Sequence, residues 1–272
     1  MLDEKGLLRY PTQKVGLTQM LKKGSIREEE LAQFRGVRQD PCMASIIAGI
    51  PAYNEEKTIA EVVLKAGYHV GKVLVCDDGS KDLTPVIARK NGADIVGHEK
   101  NMGYGVAMQT LFRKARELDA DAMVTFDGDG QHDPDEIPTL VKPILEGRAD
   151  IVTGSRFMKG ARRDIPLYRE VGILVITLLT RIISGYSISD AQSGFRAYSR
   201  KALKELKLTE LGWGSSAEVF FRARDVGLRV VEVPVHCDYG DYPKASKRDP
   251  LRQGISIIAS ILSHVIHGGI HP

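Results

Sequence analysis

The stretch of sequence that decides the fold is Asp127-Gly128-Asp129-Gly130-Gln131-His132, which follows the apolar run Ala122 to Phe126. That run has the length and composition of a buried strand, so the acidic residues stand where the strand ends. Side chains at positions i and i+2 of an extended chain project to the same side. Two carboxylates placed in this way can share one Mg²⁺ or Mn²⁺, which is usually completed by the phosphates of a substrate. The stretch therefore predicts a protein that handles a metal-bound nucleotide.

The same stretch has two competing interpretations. Asp and Gly are ordinary turn residues, so the strand can simply end in a bare turn. A calcium-binding EF-hand loop counted from Asp127 is excluded, because it needs Gly where His132 stands and Glu where Pro138 stands. A metal site is favoured over the bare turn.

Length, charge and cysteine content set the general frame. The 272 residues are enough to bury the core of one large α/β domain with an N-terminal appendage. A formal net charge of +3 does not predict binding to nucleic acid. Cys42, Cys76 and Cys237 lie far apart without metal-type spacing, which is typical of core residues in a reducing compartment. The N-terminus lacks the apolar segment of a secretory signal, so a protein that stays inside the cell is expected.

Apolar strands alternate with amphipathic helices from Met43 onward. The predicted strands are 43–50, 72–76, 94–97, 122–126 and 150–153, and the predicted helices between them are 55–66, 84–91, 103–118 and 134–146. Alternation of this kind is typical of an α/β fold with a mostly parallel sheet flanked by helices. The chain is thus expected to comprise a polar appendage at 1–40, an α/β domain at 41–240, and a basic loop with an amphipathic C-terminal helix at 241–272.

Ligands of such sheets bind beyond the carboxyl ends of the strands. Polar clusters follow four of the predicted strands, at 51–55, 77–80, 127–132 and 154–157. Each cluster alone can be a helix cap or a turn, but their joint placement favours one shared site. The chain has no Gly-x-x-x-x-Gly-Lys phosphate loop, and Gly103-Tyr104-Gly105 lacks the third glycine of a dinucleotide motif, which argues against ATPases and dehydrogenases. Gly103 either approaches a ligand closely or opens a helix.

Four segments together resemble family 2 glycosyltransferases of the GT-A fold. They are 51–55, 77–80, 127–132 and Asp190-Ala191-Gln192-Ser193-Gly194-Phe195-Arg196. Over residues 43–240 the chain is most similar to the branch that uses dolichyl or other polyprenyl phosphates, including archaeal hexose and N-acetylglucosamine transferases. The last segment departs from the Asp-Pro-Thr-Ser-Gly-Phe-Arg of many mannose synthases, so a UDP-sugar is favoured as donor over GDP-mannose.

The resemblance implies roles for individual residues. It assigns the base and ribose of the nucleotide to Ala52, Tyr53, Glu55 and Asp78, and the implied nucleotide site also includes Pro51, Gly103 and Asp127. It implies that Mg²⁺ or Mn²⁺ is held by Asp127, Asp129 and Gln131. A metal so placed would act as a Lewis acid toward the leaving diphosphate, which makes Asp129 a catalytic candidate.

The chemistry of the acceptor decides which other residues are needed. A lipid phosphate is mostly a dianion at neutral pH, because its second pKa lies near 6, so it attacks without a general base. It needs a basic pocket instead, and Arg suits phosphate through bidentate hydrogen bonding. Arg156 and Arg196 are the favoured candidates and count as catalytic; the other expected phosphate contacts are Arg162, Arg163, Ser193, Lys247 and Arg248.

An acceptor hydroxyl on a sugar or a protein would instead require a carboxylate base. Glu218 is the candidate, although Ser215-Ser216-Ala217-Glu218 also matches a capping box in which Ser215 caps a helix running to Val226. Trp213, between two glycines, either faces the sugar or anchors its loop. A third interpretation is a non-catalytic nucleotide-sugar binding module, against which the intact acidic residues argue.

Two segments point to a membrane surface. The predicted helix 168–185 carries more apolar residues than a narrow core stripe needs, so it either covers the sheet or faces lipid. Basic residues in 242–248 precede the apolar segment 255–266, a pattern that favours an anionic membrane surface. The family resemblance implies instead a basic loop that closes over the donor diphosphate, and a solvated charged loop is the third interpretation. Neither apolar segment reaches the roughly 20 residues of a membrane span. The expected location is peripheral, on the cytoplasmic face of a membrane, and no sequence feature predicts an oligomeric state.

Overall fold

The structure, a computed structural model, describes residues 45–161, 165–238, 254 and 256–261. The strands are β1 Ile46–Ala52, β2 Lys72–Asp77, β3 Asp94–Gly97, β4 Ala122–Thr125, β5 Ile151–Ser155, β6 Arg196–Ser199 and β7 Val230–Pro234. The helices are α1 Ile59–Ala66, α2 Thr84–Lys90, α3 Tyr104–Glu117, α4 Ile137–Leu145, α5 Leu167–Ser184, α6 Arg200–Glu205 and α7 Ser215–Asp225. A 3₁₀ turn, Pro134–Glu136, precedes α4.

The seven strands form one sheet in the order β3-β2-β1-β4-β6-β5-β7. The pairs β1–β2, β1–β4, β2–β3 and β5–β7 are parallel, whereas β6 runs antiparallel to both β4 and β5. The predicted α/β fold with a mostly parallel sheet and flanking helices is therefore confirmed.

Each face of the sheet packs on its own apolar cluster, because alternate residues of a strand point to opposite faces. Along β1, Ile46 and Ile50 join the cluster that includes α1 and α4, while Ile47 joins the cluster built on α3. In the second cluster Phe112 meets Tyr198 edge to face, with ring centroids 4.8 Å apart. Burying a side chain of this size stabilises the fold by roughly 1.5–3 kcal/mol. Apolar clusters thus cover both faces of the sheet, so a site can form at the ends of the strands.

Several predicted boundaries differ from the structure. The first helix begins at Ile59 instead of residue 55, because residues 55–58 form a turn in which the N–H groups of Thr58 and Ile59 both donate to the Glu55 carbonyl. The sequence patterns did not reveal β6, β7 or α6. The predicted N-terminal appendage, Cys42, Arg162, Arg163 and the basic segment 242–248 lie outside the described residues.

The antiparallel direction of β6 decides which segment reaches the site. Parallel strands β1, β2, β4 and β5 end at one edge of the sheet, and Thr125 at the end of β4 pairs with Arg196 at the start of β6. The segment that precedes β6, residues 190–195, therefore lies at the same edge as the segments that follow the parallel strands. The four strand-end clusters lie at one edge of the sheet, as the sequence predicts, and the segment 190–196 joins them there.

Candidate active site

The acidic stretch follows β4 directly. Asp127 and Asp129 are partly exposed, and Gly128 between them is buried, with its carbonyl accepting a hydrogen bond from Thr58 Oγ1 at 2.7 Å. Gly194 packs against the first carboxylate so closely that a Cβ at that position would lie 3.3 Å from Asp127 Oδ2. The loop after β4 is thus held by the start of α1 on one side and by the segment before β6 on the other.

Electrostatics make this acidic pair fit for a divalent cation. Desolvation and the charges of Asp129 and Glu55 raise the pKa of Asp127, and desolvation raises the pKa of Asp129 as well. A hard cation bound to their oxygens would supply positive charge and so favour the ionised form of both carboxylates. Among the described residues no group of three or more His, Cys, Asp or Glu side chains is arranged to hold a metal, and the metal role of Asp127, Asp129 and Gln131 stays a prediction.

The turn after β1 carries the residues assigned to the nucleotide. Pro51 and Ala52 are buried at the end of the strand, and Tyr53 and Glu55 are half-buried in the turn that follows. The turn is fixed to the start of α2, because the Glu55 N–H donates to Thr84 Oγ1 at 2.7 Å. The predicted nucleotide residues of this turn thus lie beside the segment that follows β2.

Asp78 is buried and already makes contacts inside the protein. Its carboxylate oxygens accept hydrogen bonds from the N–H groups of Met102 at 2.8 Å and Gly103 at 2.9 Å, and Oδ1 lies 2.7 Å from His98 Nδ1. Gly103 has a φ of 103°, a conformation that favours glycine. The predicted nucleotide residues Asp78 and Gly103 are therefore joined to each other, and His98, which the motifs did not reveal, completes the contact.

Arg156 follows β5 and is held by Asp190. The two side chains contact through Nε and Oδ2 at 2.6 Å and through Nη2 and Oδ1 at 2.8 Å. Burial acts to raise the pKa of Asp190, but the charge and hydrogen bonds of Arg156 outweigh it and hold that pKa below its usual range. Glu232 on β7 supports the pair by accepting the N–H groups of Ser189 at 2.8 Å and Asp190 at 3.1 Å. Sequence patterns gave no signal for this Glu232 contact, which is formed between distant segments.

Arg196 and Ser193 lie deeper in the protein than the sequence suggests. Arg196 Nη1 and Nη2 donate to the carbonyls of Ser216 at 2.9 Å and Ala191 at 2.7 Å, and the guanidinium lies 4.6 Å above the ring of Phe220. Ser193 is fully buried. The Arg196 guanidinium thus donates to backbone carbonyls of the protein, and its role in binding the acceptor phosphate stays a prediction.

Glu218 does not take part in the predicted capping box. The helix begins at Ser215 with Gly214 as its N-cap, and no side chain caps it. The Glu218 carboxylate instead accepts hydrogen bonds from the Thr209 N–H at 2.9 Å and hydroxyl at 2.7 Å and from the Glu210 N–H at 2.9 Å. The capping-box prediction is wrong because the residues of the box are already helical from Ser215 onward.

Sequence analysis also missed two residues near the acidic pair. Tyr104 stacks on Trp213 with ring centroids 4.7 Å apart and an interplanar angle of 11°. A Cβ at Gly194 would lie 3.3 Å from the Tyr104 hydroxyl, so this hydroxyl and Asp127 border the same glycine. Arg169, in the first turn of α5, acts to lower the pKa of Asp129. The sequence signals Arg169 only as a basic residue at the start of a long predicted helix.

Helix α5 exposes a row of apolar side chains, whereas its buried side combines Ile176 with polar residues. Its buried residues include Thr177, Thr180 and Ser184, whereas Leu178 is 56% exposed and Ile182 is 71% exposed. The exposed apolar residues share one side of the helix; they are Leu167, Tyr168, Val171, Leu174, Val175, Leu178 and Ile182. In the described part of the chain, none of the helices combines the length and apolar character that crossing a membrane requires.

Comparison with known proteins identifies the class that this fold and site define. The family model described as glycosyl transferase family 2 matches residues 47–207. The chain therefore belongs to glycosyl transferase family 2 and is a glycosyltransferase. The strand ends and acidic pair described above fall within the matched residues.

Several curated relatives have named activities, and the names of two of them specify dolichyl phosphate. One, from Methanococcus voltae, is a UDP-N-acetylglucosamine–dolichyl-phosphate N-acetylglucosaminyltransferase, 37% identical over 72% of this chain and 86% of the relative. The other, a dolichyl-phosphate hexose transferase from Haloferax volcanii, is 34% identical over 77% of this chain and 89% of the relative.

Among solved structures, the chain resembles glucosyl-3-phosphoglycerate synthase from Mycobacterium tuberculosis in complex with Mn²⁺, UDP and glucosyl-3-phosphoglycerate. The TM-score is 0.64 and the identity 25%, over 88% of this chain and 84% of that one. The GT-A type of fold implied by the sequence is thereby confirmed.

Proposed function

We propose that the protein transfers a sugar from a nucleotide diphosphate donor, with UDP favoured, to dolichyl phosphate or a related polyprenyl phosphate on the cytoplasmic face of a membrane. The observation that carries the proposal is the position of Arg156, buried at the strand-end edge beside the acidic pair and next to a helix with an exposed apolar side. The named relatives from Methanococcus voltae and Haloferax volcanii support this acceptor class.

The donor site comprises the acidic pair and the residues that follow β1 and β2. Asp127, Asp129 and Gln131 would hold Mg²⁺ or Mn²⁺, which as a Lewis acid stabilises charge on a leaving diphosphate. Glu55 lies close enough to raise the pKa of Asp127, so the turn after β1 faces the same region. The structural relative bound to Mn²⁺ and UDP supports a uridine nucleotide.

The acceptor phosphate attacks without a protein base. As its oxygen bonds to the anomeric carbon, the bond from that carbon to the diphosphate breaks, and in-line attack inverts the configuration. Arg156, fixed in its plane by Asp190, positions the phosphate, and Arg169 adds a second positive charge near Asp129. Glu218 is engaged by the backbone of residues 209–210, which disfavours the alternative of a hydroxyl acceptor with Glu218 as base.

The lipid part of the acceptor requires an apolar surface next to the phosphate site. The exposed side of α5 offers one, since seven large apolar side chains lie on it. The opposite side of the helix is tied to the site, because Thr177 Oγ1 accepts the N–H of Ala191, the residue after Asp190, at 3.1 Å. Helix α5 can thus rest on a membrane while Asp190, the neighbour of Ala191 in the chain, holds Arg156 in place.

The test incubates the purified protein with Mn²⁺ or Mg²⁺, dolichyl phosphate, and a panel of UDP-glucose, UDP-N-acetylglucosamine and GDP-mannose, and detects glycolipid by mass spectrometry. A metal-dependent glycolipid is expected from one UDP-sugar, with none from the Asp129→Asn variant. Donor hydrolysis without glycolipid would contradict the acceptor class, and absence of donor consumption would favour the non-catalytic binding module.

A further inference from the structure

Glu218 is the most heavily engaged carboxylate whose role the proposed reaction does not explain. It is 2% exposed, and its Oε1 accepts the Thr209 N–H at 2.9 Å and the Thr209 hydroxyl at 2.7 Å. Its Oε2 accepts the Glu210 N–H at 2.9 Å, and Arg222 Nε approaches Oε1 at 3.3 Å. Both oxygens thus bind the segment 209–210, so the carboxylate is a fixed anchor for the start of this loop.

The anchored loop is in turn fixed to the start of α3. The Gly105 N–H donates to the Leu211 carbonyl at 3.0 Å, and Gln109 Nε2 donates to the Glu210 carbonyl at 3.0 Å. A Cβ on Gly105 would overlap the Glu210 carbonyl oxygen, so only glycine permits this approach. The loop therefore has one position relative to α3, set by Glu218 on one side and by the helix on the other.

This position places Trp213 flat against Tyr104, the first residue of α3. The other neighbours of Trp213 belong to the apolar cluster of Ile176, Ala217, Phe221, Ile257 and Ile261, which includes α5 and α7. Tyr104 is half-buried, and its hydroxyl borders Gly194 together with Asp127.

We infer that Glu218 is a positioning residue of the donor site, which acts through the loop 209–213 and the Trp213–Tyr104 stack to fix the Tyr104 hydroxyl beside Asp127. The inference rests on the proposed function in one respect, namely that Asp127 belongs to the donor site. It assigns Glu218 no proton transfer, in contrast to the base that a hydroxyl acceptor would require.

The test uses the fact that Trp213 is the one tryptophan of the chain, so its fluorescence reports the loop directly. The variants are Glu218→Gln, which turns an amide N–H₂ toward a backbone donor, and Thr209→Val, which removes one donor to Glu218 and leaves the carboxylate intact. Both are expected to shift the Trp213 emission to longer wavelength and increase its quenching by acrylamide. Both should also weaken binding of UDP in the presence of Mn²⁺, by about 10-fold for Glu218→Gln if some 1.4 kcal/mol is lost.

Asp150→Asn is the matched control, since Asp150 is a buried carboxylate paired with Arg229 at the opposite ends of the strands. It should lower stability without changing Trp213 emission or UDP binding. An unchanged Trp213 emission in Glu218→Gln would overturn the inference, and loss of turnover by about 10²–10⁴-fold with unchanged emission would make Glu218 a base. If Glu218→Gln does not fold, Thr209→Val decides alone. Neither readout requires a lipid acceptor, so failure of the proposed acceptor class would be recognised separately.

Discussion

Arg156 and Asp190 contact each other at two points, with distances of 2.6 Å and 2.8 Å, where β5 ends and the chain approaches β6. Both side chains are nearly inaccessible to solvent. A buried pair of this kind gives little net stability, but removal of one partner leaves an uncompensated charge and costs about 3–5 kcal/mol. Because Asp190 binds Arg156 at two points, it fixes the plane of the guanidinium at the edge of the sheet.

Replacing Arg156 by Lys should separate positioning from charge. Lysine keeps the positive charge but loses the two-point geometry that suits carboxylate and phosphate. We expect the KM for the lipid phosphate to rise about 10-fold or more, corresponding to some 1.4 kcal/mol, while UDP binding stays unchanged. Arg229→Lys is the control, because Arg229 pairs with Asp150 away from the site. A wild-type KM for Arg156→Lys would contradict the phosphate role.

Neutralising Asp129 should stabilise the metal-free protein while abolishing its function. Asp127 and Asp129 are both desolvated, and the charge of Asp129 raises the pKa of Asp127. The Asp129→Asn variant is expected to have a higher Tm in EDTA than the wild type, because one unfavourable charge is removed. It should gain no further Tm from Mn²⁺ and UDP. A lower Tm of Asp129→Asn in EDTA would contradict the repulsion between Asp127 and Asp129. The control is Asp94→Asn, because Asp94 forms an exposed pair with Lys72.

Charges on the exposed side of α5 should weaken membrane binding. Leu178→Asp and Ile182→Asp place carboxylates on a surface proposed to meet lipid, where apolar burial supplies the affinity. We expect both variants to lose co-sedimentation with vesicles that contain polyprenyl phosphate, while their Tm in solution changes little. Leu83→Asp, at an equally exposed leucine before α2, should bind vesicles like the wild type. Equal binding by all variants would sink the membrane assignment of α5.

The pair Asp150–Arg229 should contribute stability that disappears in acid. Burial acts to raise the pKa of Asp150, but the hydrogen bonds and charge of Arg229 prevail and hold that pKa below its ordinary value. When the pH falls through the pKa that Asp150 has in the unfolded chain, the native state binds fewer protons than the unfolded state. The stabilisation by the pair is therefore complete above that pKa, and it is lost as the pH falls through the lower pKa of the native state. We expect Asp150→Asn to be less stable than wild type near neutral pH, with a difference that shrinks on acidification. A constant difference in the free energy of unfolding would contradict this.

Replacement by alanine should lower the free energy of unfolding at Gly105 and raise it at Gly172. Gly105→Ala forces a Cβ into the Glu210 carbonyl, and we expect a loss of about 1–3 kcal/mol in the free energy of unfolding. Gly172→Ala, in the middle of α5 with nothing within 4 Å, should raise that free energy by roughly 0.5–1 kcal/mol. Chemical denaturation measures both. A neutral Gly105→Ala would show that the loop 209–213 can move away from α3.

The sequence predicted the parallel half of the sheet well, because strands such as β2 and β4 are apolar runs that end in polar clusters. It did not reveal β6, since a strand of four residues that begins with a buried arginine has no apolar run. The capping-box interpretation of Glu218 was wrong because a capping box is a local pattern, whereas the partners of Glu218 lie in a loop outside the helix. The apolar content of α5 was visible, but which side faces outward depends on packing against α7 and on Thr177.

The place of β6 in the sheet, between β4 and β5, has a consequence for the order in which the protein is completed. Strands β1 to β4 leave the ribosome first and carry the acidic pair, whereas the segment 190–196 follows only after α5. A nascent chain thus presents the apolar side of α5 before β6 can join β4 and β5, and domains that fold during synthesis expose such intermediates. Under the proposed function, the surface for the lipid is therefore synthesised before the catalytic edge is complete, since that edge needs the segment 190–196.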